Sequence, residues 1–185
     1  MKVKDIIKIS ATLLGKDNVV TSLAMPIDFI DNTTLREINA FTTLLNSMLI
    51  ELASTYVPML KTEEVGGVTE IVFKNLSENA IRIVEALDKD KNSISYTQKP
   101  DALKTKTPCY YLVYEYIPAQ YDLEDSVGYT QNDITETIIA YGLSAEYCIS
   151  EARYLEAVAF HEKYLEGIKS RSKIQNGKTV ARKWA

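Results

Sequence analysis

The sequence predicts an α+β fold that is mainly α: a helical bundle, a small antiparallel sheet inserted into it, and an extended basic C-terminal tail. Three observations predict it. Apolar residues recur every three to four positions from Leu35 to Tyr56, over about five helical turns. The rhythm then changes to alternation between residues 65 and 118, and returns to helical spacing from 133 to 171. From Ile168 to the end there are six Lys or Arg and no Asp or Glu, which leaves about −10 on the rest of a chain whose net charge is −4.

The 185 residues fit one domain, carrying a β insertion at 63–118 and a tail at 172–185. A composition that is 46% hydrophobic and 25% charged excludes a disordered or fibrous chain. Twelve Tyr against one Trp favour Tyr-rich strands or partly wet interfaces. Two distant Cys, Cys109 and Cys148, make no disulfide framework and are expected as small buried residues. No run approaches the roughly 20 apolar residues needed to cross a bilayer, so a soluble protein made in the cytoplasm is expected.

The elements follow in order. Val3 to Leu14 has the spacing of an amphipathic helix that Gly15 stops. A connector with Pro26 follows. Asn32 or Thr33 is placed to cap a long helix of about 33–57, with Glu37 in its first turn and Val57-Pro58 at its end. Val65-Gly66-Gly67-Val68 reads as a turn or bend. VTEIVF, IRIVEAL, SISYT and CYYLVYEYI then read as strands, with DKDKN a polar turn. Lys- and Thr-rich KPDALKTKTP reads as a loop. In Cys109 to Ile117, Tyr110, Leu112, Tyr114 and Tyr116 share one face. Asp133, with Glu136 three residues on, has the form of a capping box. The stripe Ile134, Ile138, Tyr141, Ala145, Cys148, Ala152 is followed by Tyr154, Ala157, Val158, His161, Leu165, Ile168. A continuous helix from Asp133 to Arg171 would be about 58 Å long. A hairpin bent near 150–153 is therefore favoured, with Gly142, Ser144 and Ala145 allowing close helix approach.

No chemistry rises out of these residues, and no enzyme activity, cofactor or metal is expected. A single His excludes His clusters, and His161 reads as structural. Gly66-Gly67 is no phosphate-binding loop. Asp122, Glu124 and Asp125 lack the alternation and Gly of a calcium loop. The acidic body argues against a nucleic-acid groove.

The segment YGLSAEYCISEARYLEAVAFHEKYLEGI is similar to one tetratricopeptide-type hairpin, with Tyr141-Gly142, Ala145 and Tyr147 facing Tyr154, Ala157 and Tyr164. A solenoid needs about three such units and this chain has one. An intracellular adaptor that binds a peptide along this hairpin is the alternative reading. The wider arrangement resembles head–tail connector (adaptor) proteins of tailed bacteriophages. The matching stretches, in order, are LREINAFTTLLNSMLIELASTYVP, the insertion ending CYYLVYEYIP, the hairpin, and the tail ending ARKW. Where that family often has Gly at the bend, this chain has Glu151-Ala152. The resemblance implies a virion protein of the neck. It would form a homo-oligomeric, commonly dodecameric, ring on the portal protein, extend the DNA channel without sequence-specific binding, and dock the next tail component. By the same carry-over, Arg171, Lys173, Lys178, Arg182, Lys183 and Trp184 are the expected partner-binding residues. Arg suits carboxylate pairing and Trp suits a pocket anchor.

Overall fold

The computed structural model describes residues 1–129 and 134–175; at position 27 and at 171–175 it describes the backbone alone. Over these residues the protein is α+β, with five α-helices and a four-stranded antiparallel sheet between the third and fourth. The chain divides into two compact units, Met1–Met48 with Tyr121–Ala185, and Leu49–Gln120.

The first unit is helical. Helix α1, Val3–Leu13, buries Val3, Ile6, Ile7 and Ala11. It closes at Gly15 (φ 68°), where Gly15 N–H donates to Thr12 O (3.2 Å) and Lys16 N–H to Ala11 O (2.8 Å). This is a left-handed cap that Gly adopts without steric cost. Helix α2, Asp17–Ser22, lies in the connector. Helix α3, Asn32–Glu51, is capped by Asp31 and not by Asn32 or Thr33. The Asp31 carboxylate accepts the Thr33 and Thr34 N–H at 2.9 and 3.0 Å. Ile38, Phe41, Leu45 and Met48 are the buried stripe of α3 in this unit. The helix runs on through a π turn, Leu52–Tyr56, and stops before Pro58 as expected.

Helices α4, Glu136–Ser150, and α5, Tyr154–Gln175, form the expected hairpin. The cap of α4 is Thr135, whose Oγ1 accepts the Ile138 N–H (3.4 Å). Thr135 immediately precedes the first helical residue, so it takes the role assigned to Asp133, which lies outside the described residues. The turn between α4 and α5 repeats the closure of α1. Ala152 N–H donates to Ile149 O (3.0 Å), Arg153 N–H to Cys148 O (2.8 Å), and Ala152 holds φ 57°. An Ala thus occupies a left-handed position that favours Gly.

In the second unit β4, Ala102–Ile117, is the spine of the sheet. It pairs antiparallel with β1, Met59–Val72, and on its other side with β2, Asn79–Leu87, and β3, Tyr96–Gln98. Tyr114 stands between Lys61 and Ile83 in this register. One face is buried: Leu112, Tyr114, Ile83, Ala86, Ile71, Leu103 and Cys109 form its core. Tyr114 Oη donates to Glu63 Oε2 at 2.5 Å, and Ser77 Oγ donates to the same oxygen at 2.7 Å. Burial first, then the bond to Glu63, pushes the Tyr114 phenol up to about 12.

Two expectations for this region are corrected. Val65-Gly66-Gly67-Val68 does not end a strand. It is a bulge within β1, with both Gly at φ 77° and the register shifted between Glu64 and Val68. The stretch read as the loop KPDALKTKTP is mostly strand. Leu103 is fully buried while Lys104 pairs with Glu70 across the ladder at 3.1 Å, so the strand alternates there too. Pro108 sits where β4 bulges between the partners of Glu70 and Val68, so its missing N–H costs no ladder bond.

Candidate functional site

The hairpin is built on small residues. A Cβ at Gly142 would lie 2.5 Å from Met48 Sδ and 2.9 Å from Tyr164 Cδ2; one at Gly167 would lie 2.8 Å from Ile138 Cγ1. Gly142 against Tyr164 and Gly167 against Ile138 make α4 and α5 antiparallel. On another side of α4, Ser144 Oγ and Ser10 Oγ share a buried hydrogen bond of 2.9 Å, and Ser144 Oγ also donates to Ala140 O. Small groups at these contacts let α1 and α5 approach α4 closely, while α3 reaches it through the Met48 side chain.

A polar cluster holds one end of this packing. The Glu37 carboxylate accepts from Lys16 Nζ (2.6 Å), Tyr147 Oη (2.7 Å) and Asn18 Nδ2 (3.0 Å). The Tyr147 ring stacks on Phe41 with centroids 4.3 Å apart, and Lys16 Nζ lies 5.1 Å from its centre. Burial pushes the Glu37 carboxyl up. The bonds from Lys16, Tyr147 and Asn18 together outweigh it and leave the carboxyl below its usual range. The bond to Glu37 likewise raises Lys16. The cluster joins the α1–α2 connection to α3 and α4, and every partner in it is engaged.

The surface of the hairpin differs from its interior. Leu155 is 90% exposed, Tyr154 65%, Val158 57% and Ile149 48%. All four lie at the turn end of the hairpin. This corrects the expected α5 stripe. The buried line is Ala157, Tyr164 and Ile168, while Tyr154, Val158 and His161 face solvent. The helix is rotated so that its Gly167 edge meets Ile138. What is left outside is an apolar patch that a lone soluble helix does not need.

The same unit holds a groove of about 690 Å³. Leu23, Met25, Leu35, Ile38 and Leu123 form its apolar lining; Lys4, Asp122 and Glu124 are its charged groups. Segment 121–125 is held in place by Asn46, whose side-chain amide donates to Tyr121 O (3.0 Å) and accepts from Tyr121 N–H (2.9 Å). It is also held by α1, through Lys4 N–H to Leu123 O (3.1 Å) and Val3 N–H to Asp125 O (3.0 Å). The tetratricopeptide-like reading puts a peptide groove along α4 and α5; this groove runs along α3 instead.

No protein-family model matches the chain, and no curated protein sequence is significantly similar to it.

Of the expected partner-binding residues, Arg171 and Lys173 lie on the last turns of α5, where the backbone alone is described. Lys178, Arg182, Lys183 and Trp184 lie outside the described residues. The structure therefore brings none of them into a described site. Among the described residues no three His, Cys, Asp or Glu side chains are arranged to hold a metal, and no helix is long and apolar enough to cross a membrane. Both Cys are buried and free; burial pushes both thiols up. The exposed patch and the groove were missed by sequence reasoning. Leu155, an apolar residue off the helical stripe beside Tyr154, was the one available signal for the patch. The groove draws on α1, the connector, α3 and segment 122–124 and left no local signal.

Proposed function

We propose that this protein is a structural subunit that works by assembly: a head–tail connector of a tailed bacteriophage. In this reading it forms a homo-oligomeric ring, commonly dodecameric, on the portal protein. The ring extends the DNA channel without sequence-specific contacts and presents a surface to the next neck or tail component. It is not an enzyme and acts in the virion.

The observation that carries the reading is the open apolar patch of Ile149, Tyr154, Leu155 and Val158 on an otherwise closely packed hairpin. Apolar surface of that kind gains free energy when a protein neighbour covers it. The order of elements adds support: short helices, a long helix, an inserted sheet, then a helical hairpin. That is the order the resemblance implies. In the same reading Arg171, Lys173, Lys178, Arg182, Lys183 and Trp184 contact the portal, with Arg on carboxylates and Trp in a pocket.

Mixing the protein with its portal and following complex formation by sedimentation tests this. Leu155→Glu changes a side chain that is 90% exposed, so folding is kept and ring formation on the portal is lost. Removing residues 172–185 keeps the fold and abolishes portal docking. Unchanged docking in both variants would refute the proposal.

A further inference from the structure

We propose that the groove along α3 is the docking site of the chain's own C-terminal segment, residues 176–185, with the Trp184 indole on its apolar floor. The proposal does not depend on the connector reading; it rests on the chemistry, size and position of the groove.

Charge is complementary. The segment NGKTVARKWA carries Lys178, Arg182 and Lys183 and no acidic side chain. The charged groups lining the groove are Asp122 and Glu124 against Lys4, and Lys4 Nζ is already engaged by Glu124 Oε1 at 3.2 Å. Asp125 follows in the same segment, its carboxylate accepting the Asp122 N–H at 2.7 Å. The lining thus carries one net negative charge, with Asp125 next to it in sequence, while the floor is apolar, with Leu23 and Ile38 each 2% exposed and Met25 45% exposed at the edge. A segment that combines Trp with Lys and Arg matches both: the indole takes the floor and the cations take the acidic side chains.

Size and reach agree. A volume of about 690 Å³ lies within the roughly 300–1,000 Å³ of ordinary ligand pockets, enough for an indole and adjoining side chains. Gly167 packs against Ile138 in the first turn of α4, so the last turns of α5 lie toward the start of α4. Ser10 meets Ser144 and Lys16 meets Tyr147, so α1 runs alongside α4 in the same direction. The start of α1, with Lys4 and the bonded Leu123, therefore lies toward the end of the unit where α5 finishes. Ten extended residues reach up to about 33–36 Å. The free protein would thus hold its only Trp covered until a competing surface takes the segment.

Trp184 is the single Trp, so emission excited at the red edge of the indole band, where the twelve Tyr do not absorb, reports on this segment alone. The experiment measures Trp emission and acrylamide quenching of the full-length protein, with a synthetic peptide of residues 174–185 as the unprotected reference. The docked state predicts blue-shifted emission and quenching several-fold slower than in the peptide, independent of protein concentration. It also predicts that Met25→Glu, and separately Asp122→Lys with Glu124→Lys, restore the peptide value while circular dichroism stays unchanged. Three results would overturn the proposal. One is quenching of the intact protein as fast as the peptide. Another is protection that survives both groove variants. The third is protection that appears only as sedimentation shows oligomers, which would make a second copy the occupant.

Discussion

Helices α4 and α5 are neighbours, but α4 is the more apolar of the two and they have different surroundings. α4 is covered on nearly every side: Ile138, Ile139, Ala140, Gly142, Leu143, Ser144, Ala145, Tyr147 and Cys148 are all buried. α5 buries Ala157, Tyr164 and Ile168 and leaves Tyr154, Leu155 and Val158 to solvent. The difference lies in neighbours as well as in hydrophobicity. α4 meets α1 and α5 closely across small side chains and touches α3 through Met48, Phe41 and Glu37, whereas the start of α5 packs on α4 by Ala157 and Phe160 and leaves its other face exposed. Most apolar residues of α4 are therefore core, Ile149 excepted, whereas Tyr154, Leu155 and Val158 at the start of α5 stay at the surface around buried Ala157.

The largest expected effect breaks this comparison directly. Leu143→Ala removes a fully buried side chain of α4 and should cost about 2–5 kcal/mol in chemical denaturation. Leu155→Ala on α5 should stay within about 0.5 kcal/mol of the parent. Equal costs would mean that the two helices do not differ as described. Next comes Gly142→Ala. Its Cβ would enter the space of Met48 Sδ and Tyr164 Cδ2, and the overpacking of about 1–3 kcal/mol exceeds the gain in helix propensity. A net loss of about 1–2 kcal/mol is expected, read as a lowered denaturation midpoint.

Two smaller effects sharpen the ends of α4. Ala152→Gly should gain about 1 kcal/mol, since it relieves the left-handed conformation at the turn. Gly15→Ala at the matching cap of α1 should lose a similar amount; thermal melts of the pair check the sign. The Glu37 cluster at the other face of α4 carries a pH dependence. Glu37 is depressed below its ordinary value of 4.5 in the folded protein. Its stabilisation is therefore present above about pH 4.5 and is lost as pH falls through the folded value. Denaturation midpoints of the parent and Glu37→Gln measured from pH 7 to pH 3 should differ most at pH 7 and converge at the acid end.

Much of the fold was legible because its signals are local. The Leu35–Tyr56 rhythm, Pro58, Gly15 and the alternation of Cys109–Ile117 each act within a few residues. The misses have physical reasons. The first half of β1 and the start of β4 contain Lys61, Glu63, Glu64, Lys104 and Lys106, whose polar runs resemble loops. They are strands because Leu103 and Ile71 anchor the buried face and the charges pair or face water. The cap of α4 was placed at Asp133 because Thr135, two residues later, has equal capping chemistry. The orientation of α5 depends on Gly167 meeting Ile138, a contact no spacing rule reveals. The candidate surfaces were the least legible. The patch depends on which face of α5 has no neighbour, and the groove on how α1 and segments 22–30, 35–42 and 122–124 converge.

Electron microscopy of the full-length protein mixed with a tailed-phage portal protein tests the proposed assembly most directly. The expected images show an added annulus of density on the portal, present with the parent and absent with Leu155→Glu. A portal that stays bare, with the protein remaining a monomer at every concentration tried, would contradict it.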